Sequence, residues 1–291
     1  MTNWYFYKLY GIKIKINQKI IGLKPYDNLS EDYKIIVNYK AIENEKISID
    51  FIDNVYTIWL YKYSMVKIYN DIKIIEWDAK DYCSFISTFF NIPFSILCLL
   101  KGDCLLHTST IKRNNQLYGF CAKQGVGKST LCFLLNDAEY KFFSDDTLSI
   151  NNCFRGTRGS SIIKLTDESL NLKKTKNAIL YENVNDKKCM LLNEDQGSEY
   201  PLRYLFFLER TTSDLNITPI EDKFQRKIVL YDHIVGINYF KYIQFKMVDD
   251  FITSSDMEKI KMYKLKIPNN LNFLKENALK IKGKITEITK E

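Results

Sequence analysis

The chain lacks any Cys-x-x-Cys pair, carries only two histidines, and has no apolar run long enough to span a bilayer. The first two shortages argue against a structural zinc site, which needs closely spaced Cys and His ligands. Seven cysteines, at positions 83, 98, 104, 121, 132, 153 and 189, cannot all pair within one chain. Isolated thiols in apolar surroundings fit a reducing compartment, so a cytoplasmic location is expected. The longest greasy stretch, Ile92 to Leu100, is broken by Pro93 and Ser95. It falls well short of the ~20 residues that a membrane helix requires, so no membrane insertion is expected. Met1-Thr2-Asn3-Trp4-Tyr5-Phe6 shows no basic flank, apolar core or small-residue cleavage site, so no secretory signal is expected there. Internal repeats, low-complexity segments and coiled-coil heptads are also missing.

What is present is ordinary for a folded chain. Of 291 residues, 46% are hydrophobic and 26% charged, enough for a sizeable core in one large domain or two modest ones. Lys and Arg number 42 against 35 Asp and Glu, a formal charge of +7. That excess suits an acidic partner or a phosphate. There is no basic, aromatic platform of the kind that binds nucleic acid, and no nucleic-acid partner is expected.

The first 80 residues read as strands. Tyr7 to Tyr10 meets Gly11 and then the alternating Ile12-Lys13-Ile14-Lys15-Ile16. Residues 34–37, 55–59, 64–69 and 72–77 repeat the pattern between Asn and Asp turns. Together they predict an antiparallel sheet with one wet face, over residues 1–80. Residues 81–99 predict one or two helices, with Pro93 at a boundary or first turn. The remainder, 81–291, predicts a second domain. Strands are expected over 104–111 and 117–121, joined by a turn at 112–116, then a helix from Thr130 and a strand over 141–144. Later strands are expected at 204–209, 242–248 and 261–267, and helices at 224–231 and 269–280. The fold class is therefore α/β or α+β.

Ala122-Lys123-Gln124-Gly125-Val126-Gly127-Lys128-Ser129 has the spacing of a Walker A phosphate loop, with alanine at the usual first glycine. Gly125 and Gly127 let the chain turn so that backbone N–H groups converge on phosphate oxygens. Lys128 supplies a compact positive charge, Ser129 a hydroxyl for magnesium, and the helix opening through Thr130 a set of unpaired N–H groups. The loop lies between an apolar strand and an apolar helix, the context this motif needs. ATP and magnesium are the expected ligands.

Asp145 and Asp146 close the next strand, Phe142-Phe143-Ser144. Successive side chains diverge on a strand, so the two carboxylates are assigned separate roles: Asp145 to the metal, Asp146 to proton acceptance. An exposed turn or helix cap at 144–147 is the plain alternative. His107 sits on the strand before the loop strand, from which it can donate to a phosphate or meet the acidic base; His233 has no such context. Arg155 and Arg158, in a glycine-rich segment, are further candidates for phosphate or an acidic substrate, Arg210 is another candidate charge stabiliser, and Glu168 and Glu209 are candidate second carboxylates.

The run from His107 to Asp146 resembles the core of bacterial HPr kinase/phosphorylase and its kinase relatives, within the phosphoenolpyruvate-carboxykinase-like fold. The likeness rests on the histidine, the Gly127-Lys128-Ser129 loop end and the paired aspartates. His107 stands fifteen positions before Ala122, and Asp145 seventeen after Lys128. It implies a mixed sheet around the phosphate loop, with the first aspartate on the metal, the second as base and the histidine nearby. More loosely, Tyr10-Gly11-Ile12-Lys13-Ile14, His107-Thr108-Ser109, Leu205-Phe206-Phe207-Leu208-Glu209 and Met262-Tyr263-Lys264-Leu265 resemble the branch found with lasso and other ribosomally made, modified peptides. That branch implies phosphorylation of a serine in a precursor peptide. The family's phosphorylase signature is not evident downstream of the aspartates, and Ala122 and Gln124 depart from its loop. Members often self-associate, so a homo-oligomer stays open. So do a small-molecule hydroxyl kinase and a nucleotide-gated peptide-binding protein without transfer.

Overall fold

The structure is a computed structural model describing residues 3–27, 30–42, 46–60, 64–175, 179–182, 186–192, 199–212, 214–254, 257–269 and 271–289. Its opening strands, β1 (Tyr5–Leu9) and β2 (Ile12–Ile16), pair antiparallel across Tyr10-Gly11. Both turn residues have positive φ, 54° and 73°, the conformation whose twist matches a two-residue hairpin. β3 (Tyr33–Tyr39) follows, then a meander of β4 (Ser48–Ile52), β5 (Val55–Leu60), β6 (Ser64–Tyr69) and β7 (Ile74–Ala79). The order is β1-β2-β3-β7-β6-β5-β4. The expectation of a purely antiparallel sheet needs correction, because β3 runs parallel to both β2 and β7. The period-two pattern could not show this, since alternation sets which face is buried and not strand direction.

α1 (Tyr82–Phe89) packs on β6 and β7 of that sheet, and α2 (Ile92–Lys101) packs on α1 and reaches the second sheet. Asp81 caps α1 by accepting from Ser84 N at 2.7 Å, and Pro93 lies in the first turn of α2. Buried Trp77 packs on Phe85 and Phe89, with ring centroids 5.4 Å apart in each pair. Removing such a ring costs about 3–5 kcal/mol. The same apolar cluster runs on through Phe94, Leu105, Leu148 and Leu205 into the second sheet, so the two regions share a core.

The second sheet is built on the long strand β8 (Cys104–Arg113), which turns at Asn114-Asn115 into β9 (Gln116–Cys121). The helix α3 (Lys128–Leu135) comes next, then β10 (Lys141–Ser144), β11 (Thr147–Ile150) and β12 (Arg155–Arg158). A small three-stranded sheet of β13 (Ile162–Leu165), β14 (Ile179–Glu182) and β15 (Lys188–Leu191) stands beside it, with α4 (Asp167–Leu170) between its first two strands. The main sheet is completed by β16 (Tyr200–Thr211), β17 (Asn216–Pro219) and β18 (Lys261–Pro268), with helices α5 (Lys223–Tyr231), α6 (Tyr242–Ser254) and α7 (Leu271–Ile288). β9, β16 and β18 run parallel while β8, β10, β11 and β12 pair antiparallel, so the sheet is mixed and the architecture α/β. Tyr118 and Phe120 on β9 stack on Tyr204 and Phe206 of β16 at 4.8 and 5.5 Å. These cross-strand rings hold the strand that feeds the glycine loop.

The strand expected at 242–248 is a helix. Val248, Phe251 and Ile252 are buried at helical spacing, and Gln244 accepts from Lys241 N at 3.0 Å across the first turn. The β-prone Tyr, Ile, Phe and Val of this stretch misdirect a propensity reading. All seven cysteines are free, and all but Cys83 and Cys153 are buried. Among the described residues no single helix is long and apolar enough to cross a membrane.

Candidate functional site

The loop between β9 and α3 opens onto a cleft of about 820 Å³. Gly125 and Gly127 have φ of 85° and 112°, in the region that favours glycine. Ala122 does not have positive φ, so alanine is accommodated at the motif's first position. It packs in the core, where its carbonyl accepts a 3.0 Å hydrogen bond from Lys128 Nζ. Lys123 is exposed and outside the cleft lining, whereas residues 124–130 line it. Gly127 is the N-cap of α3, so the helix presents its first unpaired N–H groups to the cleft. Thr130 is buried and shares a hydroxyl contact of 2.8 Å with Ser169.

The two aspartates stand at the turn between β10 and β11 and point apart. Asp146 has φ 62°, and Thr147 N donates to Asp145 O at 2.7 Å across it, a tight three-residue turn. Asp145 is 6% exposed. Its Oδ1 accepts from Ser129 Oγ at 2.8 Å and from Ser109 Oγ, and its Oδ2 accepts from Lys164 N at 3.0 Å. Burial, with the neighbouring Asp146 charge, raises its carboxyl above the usual range; the three donors only partly offset this. Asp146 is about one-third exposed and forms an ion pair with Lys164 Nζ at 2.9 Å. Burial works to raise its carboxyl, but the Lys164 ammonium outweighs it, with His107 and Lys187 adding to the effect, and the group lies below the usual range. Lys164 is raised in turn, Asp146 outweighing its own burial.

His107 is half-buried and lines the same cleft. Burial and then the Lys128 charge push its imidazole down to about 4, against the pull of Asp146, so it is neutral at physiological pH. Its backbone N–H donates to His233 O at 2.7 Å. His233 itself is held by Val229 O, 2.7 Å from its Nδ1, and by the Phe207 ring. Lys128 is lowered, chiefly by burial, against the pull of Asp146 and Asp145.

The loop, His107, Asp145 and Asp146 are thus brought together. Arg155 and Arg158 are not, which corrects their assignment to this site. β12 holds Arg155 at the end remote from the acidic turn, and Arg158, although it returns opposite Leu148, does not line the cleft. Arg155 is exposed and paired with Glu199, while Arg158 is buried against Phe143, 5.1 Å from its ring. Glu168 and Glu209 are exposed and outside the cleft lining. Arg210 does reach the loop, donating through Nε to Val126 O and through Nη1 to Pro268 O, both at 2.9 Å.

Three contributors escaped the sequence reading. Lys164 bridges both aspartates, Lys187 lines the cleft from the loop just before β15, and residues 234–239 form part of the wall that also includes Phe90 and Asn91. Lys164 left a signal: a lysine inside Ile162-Ile163-Lys164-Leu165 demands a partner if that run is buried. The other two have none, because their position depends on tertiary contacts alone.

No family model matches the chain, and no curated protein matches it. Among solved structures it is similar to the Hpr(Ser) kinase/phosphatase from Coxiella burnetii. The identity is 10% and the TM-score 0.33, over 63% of this chain and 97% of that one. A likeness of that size bears on neither chemistry nor substrate.

Proposed function

We propose that the chain is an ATP-dependent phosphotransferase acting on a hydroxyl, with a serine of a ribosomally made precursor peptide as the acceptor. One observation carries this reading: Ser129 of the glycine loop and Asp145 of the acidic turn meet at 2.8 Å, beside a second carboxylate that faces the open cleft. A chance turn would not join a phosphate loop to two differently placed carboxylates.

Ser129 and Asp145 are oxygen donors of the kind magnesium takes, and magnesium sites commonly use only one or two protein oxygens beside substrate phosphates. Among the described residues no group of three or more His, Cys, Asp or Glu forms a rival metal site. Magnesium held by this pair would neutralise charge on the phosphate oxygens.

The chain's own residues supply the rest. Backbone N–H groups of residues 125–130 and the Lys128 ammonium hold the triphosphate, and Arg210 braces the loop through Val126 O. Asp146, ionised at neutral pH, accepts the proton of the incoming hydroxyl. The hydroxyl oxygen bonds to the terminal phosphorus as the bond to the bridging oxygen breaks, leaving nucleoside diphosphate. Neutral His107 can donate a hydrogen bond to the transferring group. Asn91, Asn238 and Tyr239 on the facing wall offer uncharged polar contacts for an acceptor.

The test is intact-mass analysis of a serine-containing precursor peptide encoded beside this gene, after incubation with ATP and magnesium. A gain of one phosphoryl group is expected with the wild type and its loss with Lys128→Ala and Asp146→Asn, the second retaining more nucleotide affinity. An unmodified peptide alongside a phosphorylated small molecule would transfer the acceptor role to a metabolite. Equal turnover by Asp146→Asn would remove Asp146 as base.

A further inference from the structure

A second cavity, of about 210 Å³, lies between the N-terminal sheet and the segment that joins β12 to β13. It shares no lining residue with the large cleft. Its walls are β1 (Tyr7, Lys8, Leu9), the loop around Gly22-Leu23-Lys24, and the run from Thr157 to Ser161.

The cavity is built into the fold and is not a gap beneath a loose loop. Tyr7 accepts from Ile20 N at 3.0 Å, Tyr82 accepts from Ile21 N at 3.0 Å, and Tyr26 N donates to Phe6 O at 2.7 Å, so the covering loop is pinned on both sides. The opposite wall is held by Tyr10, whose N–H donates to Arg158 O at 3.0 Å and whose hydroxyl lies 2.6 Å from Thr147 Oγ1. A Cβ on Gly159 would fall 2.2 Å from the Tyr10 ring, so that wall passes Tyr10 only as glycine.

Its chemistry is one-sided. Among the described lining residues Lys8 and Lys24 bring exposed ammonium groups, Arg158 lines the wall while its guanidinium lies over Phe143, and none is a carboxylate. Ser160, Ser161 and Thr157 add hydroxyl groups, while Leu9, Leu23, Leu191 and the tyrosines add apolar surface. Clefts lined by one sign of charge between low-dielectric walls concentrate the opposite ion. The volume is below the ~300–1,000 Å³ of sites for drug-sized ligands. From these features we infer that this cavity is a second ligand site, for a small molecule carrying a carboxylate or phosphate on a partly apolar body.

The inference is independent of phosphoryl transfer and is tested without it. Calorimetric titrations of the full chain would use phenyl phosphate, benzoate and neutral benzyl alcohol. They are run on Lys128→Ala protein, so that the glycine loop does not compete for phosphate. One-to-one saturable binding of at least one anion is expected, and the tighter of the two identifies the ligand's charged group. Lys8→Glu/Lys24→Glu in the same background should weaken it by about tenfold or more, the effect of losing roughly 1.4 kcal/mol. Both lysines are exposed; the single Lys24→Gln change, with its unfolding transition measured, guards against a folding artefact and should weaken binding in the same direction. No saturable binding of either anion at about 10 mM would overturn the site, as would unchanged affinity in the lysine variants or equal binding of benzyl alcohol.

Discussion

Lys164 holds both carboxylates of the acidic turn, but with different atoms. Its ammonium pairs with Asp146 Oδ2 at 2.9 Å, and its backbone N–H donates to Asp145 Oδ2 at 3.0 Å. A side-chain change therefore releases Asp146 while leaving the Asp145 contact in place. Breaking this partly buried pair from one side leaves the Asp146 charge without its counter-ion.

Lys164→Met is accordingly expected to lower turnover by about 10²-fold, the range in which positioned proton acceptors act, with much smaller loss of nucleotide affinity. Because the ammonium is what keeps the Asp146 carboxyl low, the acid limb of the pH–rate profile should move to higher pH in the variant. Steady-state rates across the acid range check this. An acid limb at the wild-type position would show that Lys164 does not govern Asp146.

How much of this was legible in the residues depends on distance along the chain. The glycine loop, the acidic pair and His107 lie within forty consecutive positions, on or between short apolar runs bounded by turn residues. Arg155 and Arg158 are equally near in sequence, yet β12 turns them towards Glu199 and Phe143. The converse holds for Arg210, remote in sequence but brought to Val126 by the parallel pairing of β16 with β9. Strand direction was the other hidden quantity: side-chain alternation is the same in parallel and antiparallel pairs, so β2-β3-β7 could not be anticipated.

Ser109 and Ser129 both donate to Asp145 Oδ1, from β8 and from the loop helix. Ser129 belongs to the proposed magnesium pair, whereas Ser109 acts behind it by orienting the carboxylate. Partners of that kind typically contribute 10–100-fold in metal affinity. For Ser109→Ala, turnover titrated with magnesium should show half-saturation raised by about tenfold, with the plateau largely recovered at high metal. A lowered plateau with unchanged half-saturation would place Ser109 outside metal binding.

Gly125 and Gly127 both have positive φ but differ in surroundings. A Cβ on Gly125 meets nothing within 4 Å, whereas one on Gly127 would lie 3.0 Å from Arg210 Nη2 and 3.3 Å from Leu274 Cδ1. Gly125→Ala should cost only its backbone strain, about 1 kcal/mol. Gly127→Ala adds a displaced Arg210 and so a loosened loop. Thermal unfolding should be lowered more by the second, and nucleotide binding should fall further with it. Equal losses in both variants would remove Arg210 as the loop's brace.

His107 makes stability depend on pH with a definite sign. Its folded pKa, about 4, lies below the ordinary histidine value because burial and Lys128 disfavour the imidazolium. The unfolded chain therefore takes up the proton first. The contribution is fully present above the unfolded value, near pH 6.5, and is lost as pH falls through about 4. Allowing for the partial solvent access of the ring, it is worth on the order of 2 kcal/mol across that window. Urea unfolding near pH 7.5 and near pH 4.5 measures it, and His107→Gln should lose less stability between the two than the wild type. His233 titrates in both proteins, also lowered chiefly by burial, and cancels from the comparison. Equal losses in the two proteins would mean that His107 is solvated and charges as freely in the fold as in the open chain.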